Sequence, residues 1–464
     1  MQPSEKRMFF PVRISNLKAS KFNFLSDGNE CRPRGILAYN TFTAAAVELS
    51  GPEVAVLNRA AEAGLLNTRE ILTALPEVDS LYSAGFLVEG DTDETQRLRD
   101  QSGYWKTNRE HVDLTIAPTL ECNFRCTYCG QKKAPVSFSE TDLKLLDRFF
   151  AKVIDRGTRS VVVHWYGGEP TLRVPDILKT TEMLLARIER PEDRFRAEMF
   201  TNAWLLDEKM ARELSQGCHI GTLMISLDGP EYIHNIRRGG SGVVGNLVET
   251  LDRIELGLRY FHVKTRIHCD LENVGHMGEL LDELASRGFT RAAERYGHRL
   301  FVHFAKIYDF TEQCAHVRKT RIPHGQWGEI ETDLLAQAQA CGFSVDWLPR
   351  RSSGTYCMGQ RENAFLIVPG GYVYTCFHQD LTDPEEASGR LDDERIARST
   401  AGGMDASERA ECANCLYLPI CSGQCPNQNW SEIPCTHLRG TLGSRLSNLW
   451  RRETAIDAAQ PGGL

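Results

Sequence analysis

The sequence predicts an α/β chain in three parts: a parallel sheet or barrel, a small winged-helix-like module ahead of it, and a cysteine-rich segment behind it. Three observations predict this order. Strand-like runs recur between helical segments from residue 112 to about 308. The first hundred residues read as short strands and helices around a single cysteine, Cys31. Seven cysteines then gather between Cys357 and Cys435, where continuous apolar sequence runs out and a core needs inorganic staples.

Within residues 1–100, GILAYN (35–40) and AAAVELS (44–50) are strand-like, PEVAVLNRAAEA and TREILTALP have helical spacing, and LYSAGFLVEG ends in a short apolar strand. Residues 91–110 are polar, have no sustained apolar face and serve as a linker. The central part, 111–340, carries VDLTIAP (112–118), SVVVHWY (160–166), RAEMFTN (196–202), GTLMISL (221–227), HVKTRIHCD (262–270) and LFVHFAKIY (300–308). Helices such as TDLKLLDRFFAKVID and PDILKTTEMLLARIE cover its outside, because their apolar residues return every three to four positions. The cysteine-rich part spans 350–440, and residues 441–464 hold a basic amphipathic helix and tail.

Composition narrows the function classes. The 464 residues exceed what one core usually organises. A formal charge of −8 argues against a chain that coats nucleic acid. No window approaches the roughly 18 apolar residues of a membrane span, and the start MQPSEKRMFFPVRISN lacks the apolar run of a secretory signal. A cytoplasmic chain without nucleic-acid or membrane partners is expected. Fifteen cysteines in a reducing compartment point to metal or iron–sulfur ligation rather than disulfides.

CNFRCTYC, directly after the first strand of the central part, puts Cys122, Cys126 and Cys129 in one loop. Three thiolates leave one iron of a [4Fe–4S] cube open to an outside chelator, whereas a closed zinc site would need a distant fourth donor. This spacing, with Tyr128 before the last cysteine, resembles the radical S-adenosylmethionine (SAM) enzymes. WYGGEPTL (165–172) is similar to that superfamily's glycine-rich strand end, with Gly167, Gly168 and Glu169 carrying the match beside the methionyl amino group of the cofactor. ISLDGPEYIHNIRRGGSG (225–242) resembles the segment whose Ser and Arg hold the cofactor's ribose and carboxylate, here Ser226 and Arg238, although either neighbouring Arg fits the charge role. The resemblance implies a partial (β/α)6 TIM-like barrel. It also implies that a reduced cluster cleaves SAM to a radical that takes hydrogen from an unactivated carbon.

CANCLYLPICSGQC gives Cys412, Cys415, Cys421 and Cys425, followed by Cys435 and preceded by Cys357 and Cys376. This resembles the SPASM extension of radical enzymes that act on peptides. It implies two auxiliary [4Fe–4S] clusters, three per chain in all. Cys357, Cys376 and Cys425 would hold the inner one, a ligand short, and Cys412, Cys415, Cys421 and Cys435 the outer. Taken alone, the Cys412–Cys425 run also suits a structural zinc knot. Cys31, Cys218, Cys269, Cys314 and Cys341 are scattered and read as small buried apolar residues.

The sulfatase-maturing branch carries an aspartate immediately after the second SPASM cysteine. Here that residue is Phe377, and His378 and Asp380 are the nearby bases. A winged-helix-like module ahead of a SPASM enzyme resembles elements that bind the leader of a ribosomally made precursor as an added strand. The expected activity is that of a peptide maturase, an oxidoreductase installing a carbon–carbon or thioether cross-link. Its partners would be a leader-bearing precursor and an electron donor such as flavodoxin or ferredoxin. The alternatives are a sulfatase-maturase-like protein oxidase and a non-enzymatic iron–sulfur electron carrier.

Overall fold

The computed structural model describes residues 16–26, 35–239, 245–309, 312–349, 357–396, 406–425, 435–436 and 438–459. Cys31, the side chain of Cys314 and residues 240–244 of the Arg238 segment lie outside the described residues.

The amino-terminal module contains β1 (Asn16–Ala19), β2 (Asn23–Leu25), β3 (Ile36–Asn40), β4 (Ala45–Leu49), β5 (Leu66–Asn67) and β6 (Leu87–Glu89). They form two antiparallel sheets, ordered β5-β1-β6 and β2-β3-β4. Helices Gly51–Ala63, Thr68–Thr73 and Leu75–Ser83 bury Leu57, Ile71, Val78 and Leu81 against Leu17, Leu66 and Phe86.

Residues 91–110 differ from the linker read in the sequence. Asp93 caps a helix over Glu94–Thr107. Glu94 is buried, and its carboxylate accepts hydrogen bonds from Ser20 Oγ and Lys21 N, the latter at 2.9 Å. Arg99 donates to the hydroxyl and carbonyl of Ser407, each at 3.1 Å. Polar tertiary contacts hold this helix, with Leu98 almost alone on its apolar side, so apolar periodicity could not reveal it. Further bonds tie the module to the carboxy-terminal part, from Thr41 Oγ1 to Leu416 O (2.6 Å) and from Tyr39 OH to Pro349 O (2.9 Å). Leu442 and Leu446 of the last helix, Leu442–Ala459, pack with Leu37 and Tyr39.

The central sheet contains β7 (His111–Ile116), β8 (Ser160–Trp165), β9 (Phe195–Thr201), β10 (Ile220–Leu227), β11 (His262–Cys269) and β12 (Leu300–Lys306). They run parallel in sequence order. Beyond β7 the sheet continues through parallel β13 (Ala364–Val368) and antiparallel β14 (Tyr372–Tyr374) and β15 (Gly389–Arg390). This is a mixed, mainly parallel α/β sheet.

Period-two alternation sorts the residues of each strand onto opposite faces. Leu114, Val163, Leu223, Ile225, Val263 and Ile267 join one core with helices Glu140–Val153, Val174–Leu185, Leu247–Gly257 and Met277–Ser286. Among the intervening residues, Asp113, His164, Glu198, Ser226, Arg266 and His268 are polar and part-buried. A parallel sheet covered on both faces would read as nearly continuous apolar strands. Here one face is kept for chemistry. The helix Glu140–Val153 shows how firmly the covered face is specified: a reciprocal Ser139–Asp142 capping box starts it, and Leu143, Leu146, Phe149 and Phe150 are buried.

Candidate active site

The loop after β7 brings Cys122, Cys126 and Cys129 together under a backbone-to-backbone contact with the end of β8. Thr119 O accepts from Gly168 N (3.0 Å), and Glu121 O accepts from Glu169 N (2.8 Å). A Cβ on Gly168 would fall 1.9 Å from Glu121 O, and Gly167, at φ +109°, would meet Thr119 O at 2.4 Å. Both glycines therefore allow the cysteine loop to lie directly against β8. Glu169 is buried, and its carboxylate accepts from Thr171 N and Oγ1, Thr201 Oγ1 and Asn202 N at 2.6–3.1 Å. It ties the ends of β8 and β9 together through these four donors.

The donor set suits an iron–sulfur cluster. The charges of the three loop thiols reach one another. Burial raises the pKa of Cys122 and takes that of Cys126 to about 11, while Lys133 and Arg238 pull the other way. Lys133 Nζ donates to Cys129 Sγ at 3.2 Å. Burial disfavours the charge on Lys133, but the three thiols outweigh it and raise its pKa. Backbone amides two residues on donate to sulfur at three cysteines: Phe124 to Cys122 (3.4 Å), Gly359 to Cys357 (3.3 Å) and His378 to Cys376 (3.3 Å). Such N–H groups favour thiolate, the ligating form. Among the described residues no three His, Cys, Asp or Glu gather closely enough to hold a single metal ion. A four-iron cube instead takes its thiolates on separate irons.

A buried ion network supports the loop from below. Asp228 is fully buried between Arg238 Nε (2.6 Å) and His268 Nδ1 (3.4 Å). Burial alone would raise its pKa, but Arg238 and His268 hold it well below the usual carboxylate range. Arg238 Nη2 also donates to Tyr128 OH (2.9 Å), which lies 3.3 Å from His268 Nδ1. Arg237 makes two parallel 3.0 Å bonds to Asp270, and its carbonyl accepts from Thr127 N (2.9 Å). Tyr128 and both arginines thus brace the loop. Ser226 is level with Arg266 across β10 and β11, on the polar face.

Cys357, Cys376, Cys421 and Cys425 line a cavity of about 1010 Å³, together with Lys264, His303, Arg361, Phe377 and His378. Cys421 also feels the charges of Cys412, Cys415 and Cys435. His378 borders the cavity, and burial lowers its pKa. Asp380 is not among the lining residues. It is bonded to Thr382 N and Oγ1 (2.9 and 2.6 Å) and paired with Lys132 (3.4 Å). Burial raises its pKa, but these partners outweigh that and lower it. Phe377, 43% exposed, packs edge to face on Tyr166, which contacts Phe200 in the same way. Of the unassigned cysteines, Cys218 and Cys269 are buried and Cys341 is part-buried.

Sequence reasoning missed Lys133, Arg266 and a chain on the polar face in which His164 bonds Glu198 (2.7 Å) and Asp113 (3.2 Å), and Arg361 bonds Asp113 (2.9 Å). The alternation of polar residues along β7, β8 and β11 was the available signal.

Residues 116–290, which include the first cysteine loop and β8 to β11, match the family model described as Radical SAM superfamily. A serine-type anaerobic sulfatase-maturating enzyme of Klebsiella aerogenes is 23% identical over 329 residues, covering 66% of this chain and 77% of the relative. A cysteine-type anaerobic sulfatase-maturating enzyme of Clostridium perfringens is 23% identical over 354 residues, covering 68% and 88%. The solved structure described as native anSMEcpe with bound AdoMet and Cp18Cys peptide shares the fold, with a TM-score of 0.56 at 18% identity, covering 75% of this chain and 100% of that one. No helix among the described residues is long and apolar enough to cross a membrane.

Proposed function

We propose that this protein is a radical SAM maturase that removes hydrogen from a residue of a leader-bearing precursor peptide and installs a carbon–carbon or thioether cross-link. The observation that carries this reading is the cavity of about 1010 Å³, which lies against both the polar side of the sheet and Cys357, Cys376 and Cys425. A chamber of that size accepts a peptide segment beside the later cysteines. Cys122, Cys126 and Cys129 would hold the cluster that binds SAM, and the seven later cysteines two further [4Fe–4S] clusters. When bound, the first cluster and SAM supply one-electron chemistry capable of removing hydrogen from carbon. The chain contributes the braced cysteine loop, a polar sheet face, and an inner cysteine set with one ligand fewer than a cube, suited to accepting an electron.

Phe377 favours cross-linking over oxidation to an aldehyde, because it puts an aromatic ring where the sulfatase-maturing branch carries a carboxylate. Asp380, tied to Lys132 and Thr382, makes a poor substitute base. The amino-terminal module supports the leader assignment. Among the described residues β6 pairs only with β1, and a hollow of about 260 Å³ beside it is lined by Phe42, Tyr82, Val88 and Glu89. An extended leader adding a strand there would gain backbone hydrogen bonds and side-chain specificity.

The second reading, a sulfatase-maturase-like protein oxidase, is favoured by the two relatives above and by His378 on the cavity wall. Mass spectrometry of a short precursor encoded beside the gene, incubated with reconstituted enzyme, SAM and reduced flavodoxin, separates the two. The proposal expects loss of one hydrogen pair from a product inert to aldehyde reagents. An aldehyde-bearing product would favour the oxidase.

A further inference from the structure

The segment that carries Cys412 and Cys415 is also a surface on which the amino-terminal module rests. Phe22 and Phe42 stack with ring centroids 5.9 Å apart and an interplanar angle of 10°. With Leu98 and Leu418 they form an apolar patch against which Cys412 and Cys415 pack. Around it, Lys21 Nζ (3.1 Å) and Thr95 Oγ1 (3.4 Å) donate to Ala413 O, Thr41 Oγ1 donates to Leu416 O (2.6 Å), and Arg99 donates to Ser407 O (3.1 Å). These acceptors are all backbone carbonyls, so the bonds form only while residues 407–416 keep one backbone course. The segment has little of its own to keep it. Its helices, Ala410–Ala413 and Leu418–Cys421, have four residues each, well below the length at which a helix holds itself.

The same stretches of the module face two ways. Ser20, Phe42 and Glu94 line the hollow beside β6, whereas Lys21, Thr41 and Thr95, each next to one of them in sequence, grip the cysteine segment. Glu94 joins the two sides by accepting from Ser20 Oγ and from Lys21 N. A shift of the segment is therefore felt at the wall of the hollow. We propose that Cys412, Cys415, Cys421 and Cys435, when they ligate a cluster, fix this segment as the docking platform of the module, and that a chain without that cluster holds its precursor weakly. Thiolate ligation supplies the order that so short a pair of helices lacks. Loss of the cluster loosens the module without releasing it, because Leu37 and Tyr39 also pack on Leu442 and Leu446. The docking rests on the reading of the later cysteines as cluster ligands, and its consequence for recognition rests on the reading of the hollow as a leader site.

Cys421 and Cys435 allow the test to spare the interface, because among the described residues neither belongs to the apolar patch beneath the module. Hydrogen–deuterium exchange compares the anaerobically reconstituted wild type with the double variant Cys421→Ala and Cys435→Ala, after iron analysis has shown the loss of about four irons, one cube. Peptides spanning 16–26 and 35–49 should exchange about tenfold faster in the variant, while those of β8 to β11 stay unchanged. Unchanged exchange in the module would overturn the docking. Should β8 to β11 loosen as well, the double variant Lys21→Ala and Thr41→Val decides, since coupling between two sites is reciprocal. With all cysteines intact it should lose iron to a chelator several-fold faster than the wild type, and an equal rate would overturn the docking. Fluorescence anisotropy with the labelled precursor encoded beside the gene reads recognition, and the cysteine variant should bind it about tenfold more weakly. Equal binding would overturn the consequence for recognition. A wild type that does not bind the precursor would overturn the leader reading, and the exchange comparison would still decide the docking.

Discussion

The rings of Phe377 and Tyr166 pack edge to face with centroids 5.1 Å apart, joining the turn after Cys376 to the strand end that carries Gly167 and Gly168. The contact spans the space between the first cysteine loop and the inner set of later cysteines. Phe377→Ala should cost no more than about 1.5 kcal/mol of stability, the scale of one aromatic pair at a part-exposed site. Its larger effect should be uncoupling: 5′-deoxyadenosine still forms, but product per SAM cleaved falls several-fold, as liquid chromatography of both products would reveal. Unchanged coupling would reduce the contact to packing.

Gly168→Ala tests the backbone contact beneath the cysteine loop. Its new Cβ would lie 1.9 Å from Glu121 O, so the loop must shift. Overpacking of this kind costs about 1–3 kcal/mol. Reconstituted protein should lose the iron of the first cluster and retain that of the other sites, as iron analysis and electron paramagnetic resonance can count. Full loading would remove the steric argument.

Asp228→Asn should be among the most damaging single changes in the protein. It leaves Arg238 buried without its counter-charge, at a cost of about 3–5 kcal/mol. Thermal unfolding measures the loss, and a drop of a degree or less would contradict the network described for the loop. The pair also illustrates what the sequence conceals. Both residues fall in one short motif, in which Arg238 reads as a cofactor-binding base, yet the fold turns them toward each other. Arg237 is likewise claimed by Asp270, which follows a different strand. Pairings across the tertiary structure are decided by which side chains one face brings together, and a linear spacing carries no such information.

Much else was legible in the order of residues. The six runs from VDLTIAP to LFVHFAKIY coincide with β7 to β12, because alternating apolar residues between amphipathic helices leave one parallel arrangement. Cysteine spacing grouped the loop thiols, since short gaps force proximity. The helix Glu94–Thr107 escaped because polar bonds hold it, and Lys133 because nothing in a lysine pair announces that one ammonium turns inward to sulfur.

His164 gives the pH dependence. Burial opposes its charge, but bonds to Asp113 and Glu198 outweigh it and raise its pKa to about 9. Unfolded, it titrates near 6.5. Its contribution, on the order of 3 kcal/mol at about 1.4 kcal/mol per pKa unit, is therefore complete below about pH 6.5 and lost as pH rises through 9. Urea midpoints should fall between these values in the wild type and fall less in His164→Gln. Parallel slopes would show that His164 is not the titrating group.

The central claim is that Cys122, Cys126 and Cys129 hold the cluster at which SAM is cleaved. Its most direct test is 5′-deoxyadenosine formation by anaerobically reconstituted wild type and by the variant with all three cysteines replaced by alanine, each reduced with dithionite in the presence of SAM. The account predicts steady formation by the wild type and none by the variant, whose remaining cysteines still bind iron and keep their charge-transfer absorbance. Cleavage by the triple variant, or none by a fully loaded wild type, would contradict it.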